Sequence, residues 1–390
     1  MVMSQIEQNA HDVLPKTNHD ELARQQFVRS FKEHIVSNIH PGLRTTYEHR
    51  AKKRFEGANN GASPNDKNDV ASVMKPDPYY RMFSSLLRTS QEMMWSSVQL
   101  PVARSINELA SSAAQADPIG SLRLDPDLPL PKYHSAVDIH CQPGGYHTEY
   151  IDGDVAQGAM YDRAVYIYAM GQMGRDNADM GDSVIAWIKN NYPDFSPKRI
   201  LDMGCSVGHS TLPYTDAWPD AEVHAIDVAA PMLRYAHARA ESKGKAVHFS
   251  QQNAEKTDFE DGSFDLVVSH ILMHETSDKA VKNVMAECNR LLAPGGLMAH
   301  AETPPYEGME PFDAFMLDWD STNNNEPFWR RSHELDLPKL TTDAGFDAEK
   351  MFSVMAPSAY QIADAERSGT FQGGDFGGGG VWFIYGCEKA

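Results

Sequence analysis

Positive charge is in short supply in this sequence: 35 Lys and Arg stand against 54 Asp and Glu over 390 residues, a formal net charge of −19. Such a field repels phosphate backbones, and the sequence carries no basic patch to offset it, so nucleic acid is excluded as the principal partner. Cysteine is scarce as well. Cys141, Cys205, Cys288 and Cys387 are far apart and form no C-x-x-C pair, which argues against a disulfide framework or a zinc knuckle and for a reducing, cytoplasmic setting. No run of about 18 apolar residues occurs. The opening MVMSQIEQNAHDVLPK also lacks the basic-then-apolar order of a secretory leader, so a soluble chain off the membrane is expected. What the chain does have is 41% hydrophobic residues, enough for a real core. At roughly 100 to 200 residues per domain, its length predicts two parts.

The first half is patterned as helix. Leu22, Phe27, Val28, Phe31, Ile35 and Val36 fall on one stripe, as do Met82, Phe83, Leu86, Leu87, Met93, Met94, Trp95 and Val98. GANNGASPNDKND, from Gly57 to Asp69, reads as a mobile loop, and the proline-rich stretch from Asp117 to Pro131 as a hinge. Helical patterns resume at Met160 to Met170 and Asp182 to Asn190. From Arg199 onward short β-rich runs alternate with helices, as in βαβ units around a parallel sheet. The strands expected are RILDMG, EVHAIDV, AVHFSQ, FDLVVSHIL, GLMAHAE and VWFIYGCE; the helices are Pro231 to Lys243, Asp278 to Leu292 and Glu334 to Ala344. GGDFGGGG, Gly373 to Gly380, reads as a flexible turn before the last strand.

The first β-rich run ends in a glycine turn, Gly204-Cys205-Ser206-Val207-Gly208, which enters a helix and suits a ligand lying against exposed backbone. A dinucleotide fingerprint needs G-x-G-x-x-G, and here Ser206 replaces the second glycine and the third is absent. The same letters satisfy the G-x-S-x-G elbow of a serine hydrolase, with Ser206 as nucleophile. Against this, the preceding residues lack the strands and oxyanion loop that such an elbow follows. Asp227, at the end of the next strand, is placed to accept hydrogen bonds from the vicinal hydroxyls of a ribose.

Taken in order, these motifs resemble the class I S-adenosylmethionine-dependent methyltransferases over roughly Arg199 to Glu388. LDMGCSVGHST is similar to that family's first motif, AIDVAAPML carries its ribose-binding acid, QQNAEKTDF resembles its adenine wall, and FDLVVSHILMHE and CNRLLAPGGLM resemble its fourth strand and the entry to its fifth. The resemblance implies a Rossmann-like, mostly parallel seven-stranded α/β sheet flanked by helices in residues 181–390. It implies a mainly helical cap or dimerisation region in residues 1–180, with a homodimer as the expected assembly. It implies S-adenosyl-L-methionine as cofactor, with Asp202, Gly204 and Gly208 at its methionine end, Asp227 at the ribose, and Asn253 and Ala254 beside the adenine. Cys205, Ser206, Val228, Met232, Ser269 and His270 are the further cofactor-binding candidates. Ser206 departs from the glycine many members carry, and Asn253 from the commoner Asp.

The implied reaction is methyl transfer to a small-molecule acceptor. A sulfonium methyl is already electrophilic, so the protein must align a nucleophile, exclude water and remove a proton if there is one. Past the fourth strand, His274 followed by Glu275 resembles the plant-type O-methyltransferase stretch whose histidine is the general base, which favours O-methylation with Glu275 orienting the ring. C-, N- or S-methylation by proximity is the alternative, and a non-catalytic cofactor-binding protein is a rival of another class. Tyr146 and His147, and Tyr306 and Trp319 from the aromatic insertion Thr303 to Arg331, are the substrate-contact candidates; ordinary core packing is the competing reading of that insertion. KYHSAVDIHCQPGGYH holds His134, Asp138, His140, Cys141 and His147, but no pair has the i, i+4 spacing of H-E-x-x-H, so no metal is expected. His300 and Glu302 point toward the cleft from the fifth strand.

Overall fold

A computed structural model describes residues 7–114, 117–360 and 381–390. Its centre is an eight-stranded sheet: β1 (Ser121–Arg123), β2 (Arg199–Met203), β3 (Glu222–Asp227), β4 (His248–Gln251), β5 (Phe264–His270), β6 (Leu292–Glu302), β7 (Met351–Pro357) and β8 (Val381–Glu388), in the order β1-β4-β3-β2-β5-β6-β8-β7. All neighbours are parallel except the pairs made by β8, which runs antiparallel to both β6 and β7. The six expected strands are present, in the mostly parallel α/β sheet that was expected, with eight strands rather than seven. The unforeseen ones are short or at an edge. Met351–Pro357 is a partly exposed edge strand. Ser121–Arg123, inside the presumed hinge, is too short to show an alternating pattern, and it forms because the Ser121 amide reaches the Val247 carbonyl at 3.1 Å. Gly120 permits that approach: a Cβ there would stand 2.3 Å from the Val247 oxygen.

The helices follow their sequence signals. In α1 (His19–His34), Asn18 and Glu21 form a reciprocal capping box. Asp77 caps α2 (Pro78–Ala113), a 36-residue helix that carries Pro101 and departs from helical geometry at Ser105, whose hydroxyl takes up the Pro101 carbonyl at 2.7 Å. Next come α3 (Ala156–Tyr168), α4 (Asp179–Asn191), α5 (Ala230–Ser242) and α6 (Asp278–Leu291). The Gly57–Asp69 loop is shorter than expected, since helices run to Ala58 and begin again at Lys67, where the Asp66 carboxylate accepts from the amides of Asn68 and Asp69. The helix expected over Glu334 to Ala344 is confined to Leu337–Asp343. The Gly373 to Gly380 turn lies outside the described residues. Among the described residues no helix is long and apolar enough to cross a membrane.

Apolar faces explain the layering. One sheet face packs on Val184, Ile185 and Ile188 of α4, the other on Val281, Val284, Met285 and Cys288 of α6. A third cluster joins α2, α3 and α5 through Met94, Trp95, Ala159, Met160, Met232 and Tyr235, so residues before 181 share a core with a helix of the sheet layer. At its centre is a carboxylate. Asp162 of α3 is fully buried and receives Gln8 at 2.7 Å, His11 at 2.8 Å, His209 at 2.7 Å and Tyr235 at 2.8 Å, with Arg239 at 3.6 Å. Burial alone would raise its pKa, but His209, His11 and Arg239 hold it well below the usual carboxylate range.

Removing this charge leaves the Arg239 guanidinium buried without its counter-charge and the donors of Gln8, His11, His209 and Tyr235 without their acceptor. Asp162→Ala is therefore expected to lose about 3–5 kcal/mol in urea unfolding at neutral pH. Because the folded pKa is depressed, the contribution is complete above about pH 4 and fades as the pH falls through the folded value, so the difference between wild type and variant shrinks in acid.

Candidate active site

At the carboxyl ends of β2, β3 and β5 the chain leaves the sheet in tight turns. Gly204 and Gly208 have φ of 74° and 75°, and Ser206 between them has φ 50°. The amides of Gly204 and Cys205 both donate to the Ile226 carbonyl, at 2.8 and 2.9 Å, folding the turn back onto β3. Asp227 holds it from the other side: one oxygen accepts the Ser206 amide and the other the Ala229 amide, each at 2.9 Å. Burial pushes this carboxyl up in pKa, and the amide hydrogen bonds oppose the shift. Asp202 is fixed by the Thr211 hydroxyl at 2.5 Å and His270 Nδ1 at 3.2 Å. Asn253 accepts the Glu255 amide at 2.9 Å.

Two cavities meet over this turn. One, of about 790 Å³, is lined by Asp227, Val228, Met232, Asn253, Ala254 and Glu275, with Tyr133, His134 and Tyr146 on its outer wall. The other, of about 840 Å³, has Asp202, Cys205 and His209 at its floor and Gln91, Met94, Trp95, His140, Met173 and Met180 around it. Tyr161, Gly204, Ser206, His270 and Ile271 belong to both and form the throat between them. A polar crevice thus opens into a largely apolar chamber walled by α2 and α3.

The structure gathers most of the expected residues at these walls. Gly208 and Ser269 stand outside them, and the Ser269 hydroxyl is bonded to His300 at 2.7 Å. Burial pushes the Cys205 thiol well up, so it is a wall and not a nucleophile. The Ser206 hydroxyl has no hydrogen-bond partner, so the histidine a serine hydrolase needs is missing. Tyr306 and Trp319 line neither cavity. Tyr306 is bonded to Asp318 at 2.9 Å, and Trp319 packs with Phe312, Phe315, Tyr80 and Phe83, so this part of the insertion is core. Tyr146 lines the crevice, whereas His147 stacks behind it on His134 with ring centres 5.6 Å apart.

His274 differs from its expected setting. It is 2% exposed, lies against Trp329, and its ring is held by Glu302, at 2.8 Å from Nδ1, not by Glu275. Glu275 instead bonds His140 Nε2 at 2.9 Å and stays 3.9 Å from His274 Nε2. Glu326 and Asn324 flank the other side of His140, each 3.0 Å from Nδ1. Burial would lower both imidazoles, but Glu302 and Glu275 carry His274 to about 9, and Glu326 and Glu275 carry His140 well above its ordinary value. The backbone at His140 and Cys141 is left-handed, φ 53° and 58°, and Gln91 and Trp95 hold the His140 carbonyl at 3.0 and 2.7 Å. Tyr161, Gln91, Trp95 and Glu326 had no sequence signal as site residues. Each sits in an ordinary helical or polar pattern and reaches the site only through the packing of α2, α3 and the insertion.

Comparison with known proteins was made on this frame. Residues 200–296 match a family described as a methyltransferase domain. Among curated relatives, a demethylmenaquinone methyltransferase of Thermus thermophilus is 37% identical over 110 residues, 28% of this chain and 49% of that protein. A malonyl-[acyl-carrier protein] O-methyltransferase of Methylococcus capsulatus is 34% identical over 126 residues, 31% of this chain and 42% of its own. The chain thus spans about half or less of the relatives it matches. Among solved structures, Haemonchus contortus phosphoethanolamine N-methyltransferase 2, with phosphomonomethylethanolamine and S-adenosylhomocysteine, aligns over 59% of this chain and 58% of its own at 17% identity and a TM-score of 0.43.

Closure of the throat depends on Gly204. A Cβ there would meet Leu272 Cδ1 at 2.6 Å, and the left-handed conformation costs a non-glycine residue about 1–2 kcal/mol. Gly204→Ala is expected to lower unfolding stability by that amount; adding Leu272→Ala should relieve the contact but not the backbone strain, which a double-mutant cycle in urea resolves.

Proposed function

We propose that this chain, whose residues 200–296 match a methyltransferase domain, is a class I S-adenosylmethionine-dependent methyltransferase that transfers the methyl group to an oxygen of a small, largely apolar acceptor. The observation that carries this reading is the junction of the two cavities at Tyr161, Gly204, Ser206, His270 and Ile271. S-adenosylmethionine lies with its ribose at Asp227, its adenine between Val228, Met232, Asn253 and Ala254, and its sulfonium end at the throat near Asp202 and Gly204. The acceptor fills the chamber walled by Met94, Trp95, Met173 and Met180, a lining that favours an apolar or aromatic body. Residues 1–180 act as its cap, through α2, α3 and the His140 loop.

Oxygen is favoured as acceptor atom because the two cavities share a polar edge, His140 on the chamber side bonded to Glu275 on the crevice side, with His274 and Glu302 behind them. A hydroxyl directed there is hydrogen-bonded, aligned with the methyl and relieved of its proton at this cluster, while the apolar walls exclude water. The names of the curated relatives, one of them an O-methyltransferase, are compatible with this choice. Their acceptors are not carried over.

Calorimetry with S-adenosylmethionine tests the cofactor half. Wild type is expected to bind, and Asp227→Ala to bind at least about 30-fold more weakly, the worth of two hydrogen bonds to a charged group. A wild-type chain that takes up no S-adenosylmethionine overturns the reading. For the chemical half, methyl transfer to a panel of hydroxylated aromatic acceptors is expected. His274→Ala should lower kcat about 10²-fold or more while leaving cofactor affinity unchanged; an unchanged kcat removes the cluster from the reaction.

A further inference from the structure

The polar corner has a second property. His140, His274 and Glu326 each offer one donor atom, and the three atoms lie within 4.8 Å of one another. They come from the loop before α3, the turn after β5 and the insertion after β6. Glu275 stands beside the group, its Oε1 2.9 Å from His140 Nε2 and 3.9 Å from His274 Nε2. Both imidazoles therefore turn Nε2 toward the same carboxylate oxygen. The opposite nitrogen of each is already held: Glu302 lies 2.8 Å from Nδ1 of His274, and Glu326 3.0 Å from Nδ1 of His140. His274 is thus oriented as metal-binding histidines are, one nitrogen pinned by the Glu302 carboxylate so that the other is presented.

Glu326 adds an independent observation. Its side chain is 1% exposed, and its Oε2 is buried with no hydrogen-bond partner, a costly state for an anionic oxygen. Three carboxylates, Glu275, Glu302 and Glu326, share this space with two imidazoles.

We propose that His140, His274 and Glu326 bind one divalent first-row transition metal, leaving a coordination position open, at the polar edge between the two cavities. Imidazole with carboxylate selects zinc, cobalt, iron or manganese over magnesium and calcium. The site's consequence, though not its existence, rests on the methyltransferase reading. The metal takes the acceptor hydroxyl as a ligand and makes it more acidic. Its proton passes to the adjacent Glu275 carboxylate, and the oxygen then forms the O–CH3 bond as the S–CH3 bond breaks, both electrons of that bond leaving with the neutral thioether. His274 is then a ligand, presented by Glu302, and not the base.

The test uses the full, tag-free chain, stripped with chelator and titrated with Zn²⁺ and, separately, Co²⁺. One ion per chain is expected, with visible Co²⁺ absorption of a four- or five-coordinate site. Glu326→Gln and His274→Ala should each weaken Zn²⁺ binding at least about 10-fold. Neither residue lines the cofactor crevice, so S-adenosylmethionine binding by calorimetry should be retained in both and serves as the folding control; Glu326→Gln also keeps the side chain's shape. A wild-type chain that binds S-adenosylmethionine but takes up less than stoichiometric metal, or variants that bind Zn²⁺ as wild type does, overturns the metal site and leaves the methyltransferase reading standing. A chain that binds one metal ion with this variant dependence but no S-adenosylmethionine upholds the site and overturns that reading.

Discussion

The buried carboxylate of Asp162 is the constraint on which the arrangement turns. It lies in α3, yet its partners come from the N-terminal segment through Gln8 and His11, from the glycine turn through His209, and from α5 through Tyr235 and Arg239. A single charge that cannot be solvated forces four pieces of chain to one point. The adjacent residue, Tyr161, is carried by that point to the throat between the cavities. The helical first half is thereby locked onto the glycine turn instead of resting on it through apolar contact alone.

A second electrostatic design occupies the other end of the chamber. His140, His274, Glu275, Glu302 and Glu326 sit in a space where no member is fully hydrated, so their charges have to balance locally. The left-handed backbone at His140 is compatible with that demand because Gln91 and Trp95 of α2 secure its carbonyl. Cavity walls and charge balance are thus set by the same helix. The apolar side of α2 shapes the chamber, and its polar side chains fix the loop that delivers the imidazole.

How much of this was legible before folding depends on the range of the interactions. The glycine turn, Asp227 and the strands that lead to them are local: a short β-rich run, a glycine where φ must be positive and an acid at a strand end are written in contiguous residues. Asn253 and Ala254 belong to the same group, since they follow β4 directly. Trp319 and Tyr306 illustrate the opposite case. An aromatic-rich insertion has the same composition whether it lines a pocket or fills a core, and contact with Tyr80 and Phe83 of α2 made it core. Glu275 was the sequence neighbour of His274, but neighbours in a turn diverge, and Glu302 from the adjacent strand took its place on the ring.

By itself, then, the sequence determined the mostly parallel sheet, the net negative charge and the glycine turn at the end of β2, because each depends on backbone preferences and charges carried by residues close together in the chain. Tertiary structure alone decided which histidine meets which glutamate, where Tyr161 and Trp95 stand, and that three residues as far apart as His140, His274 and Glu326 share one corner. The physical reason is that burial, not proximity in sequence, selects the partner of a charge: a carboxylate withdrawn from water accepts whichever donor the packing of distant helices brings within reach.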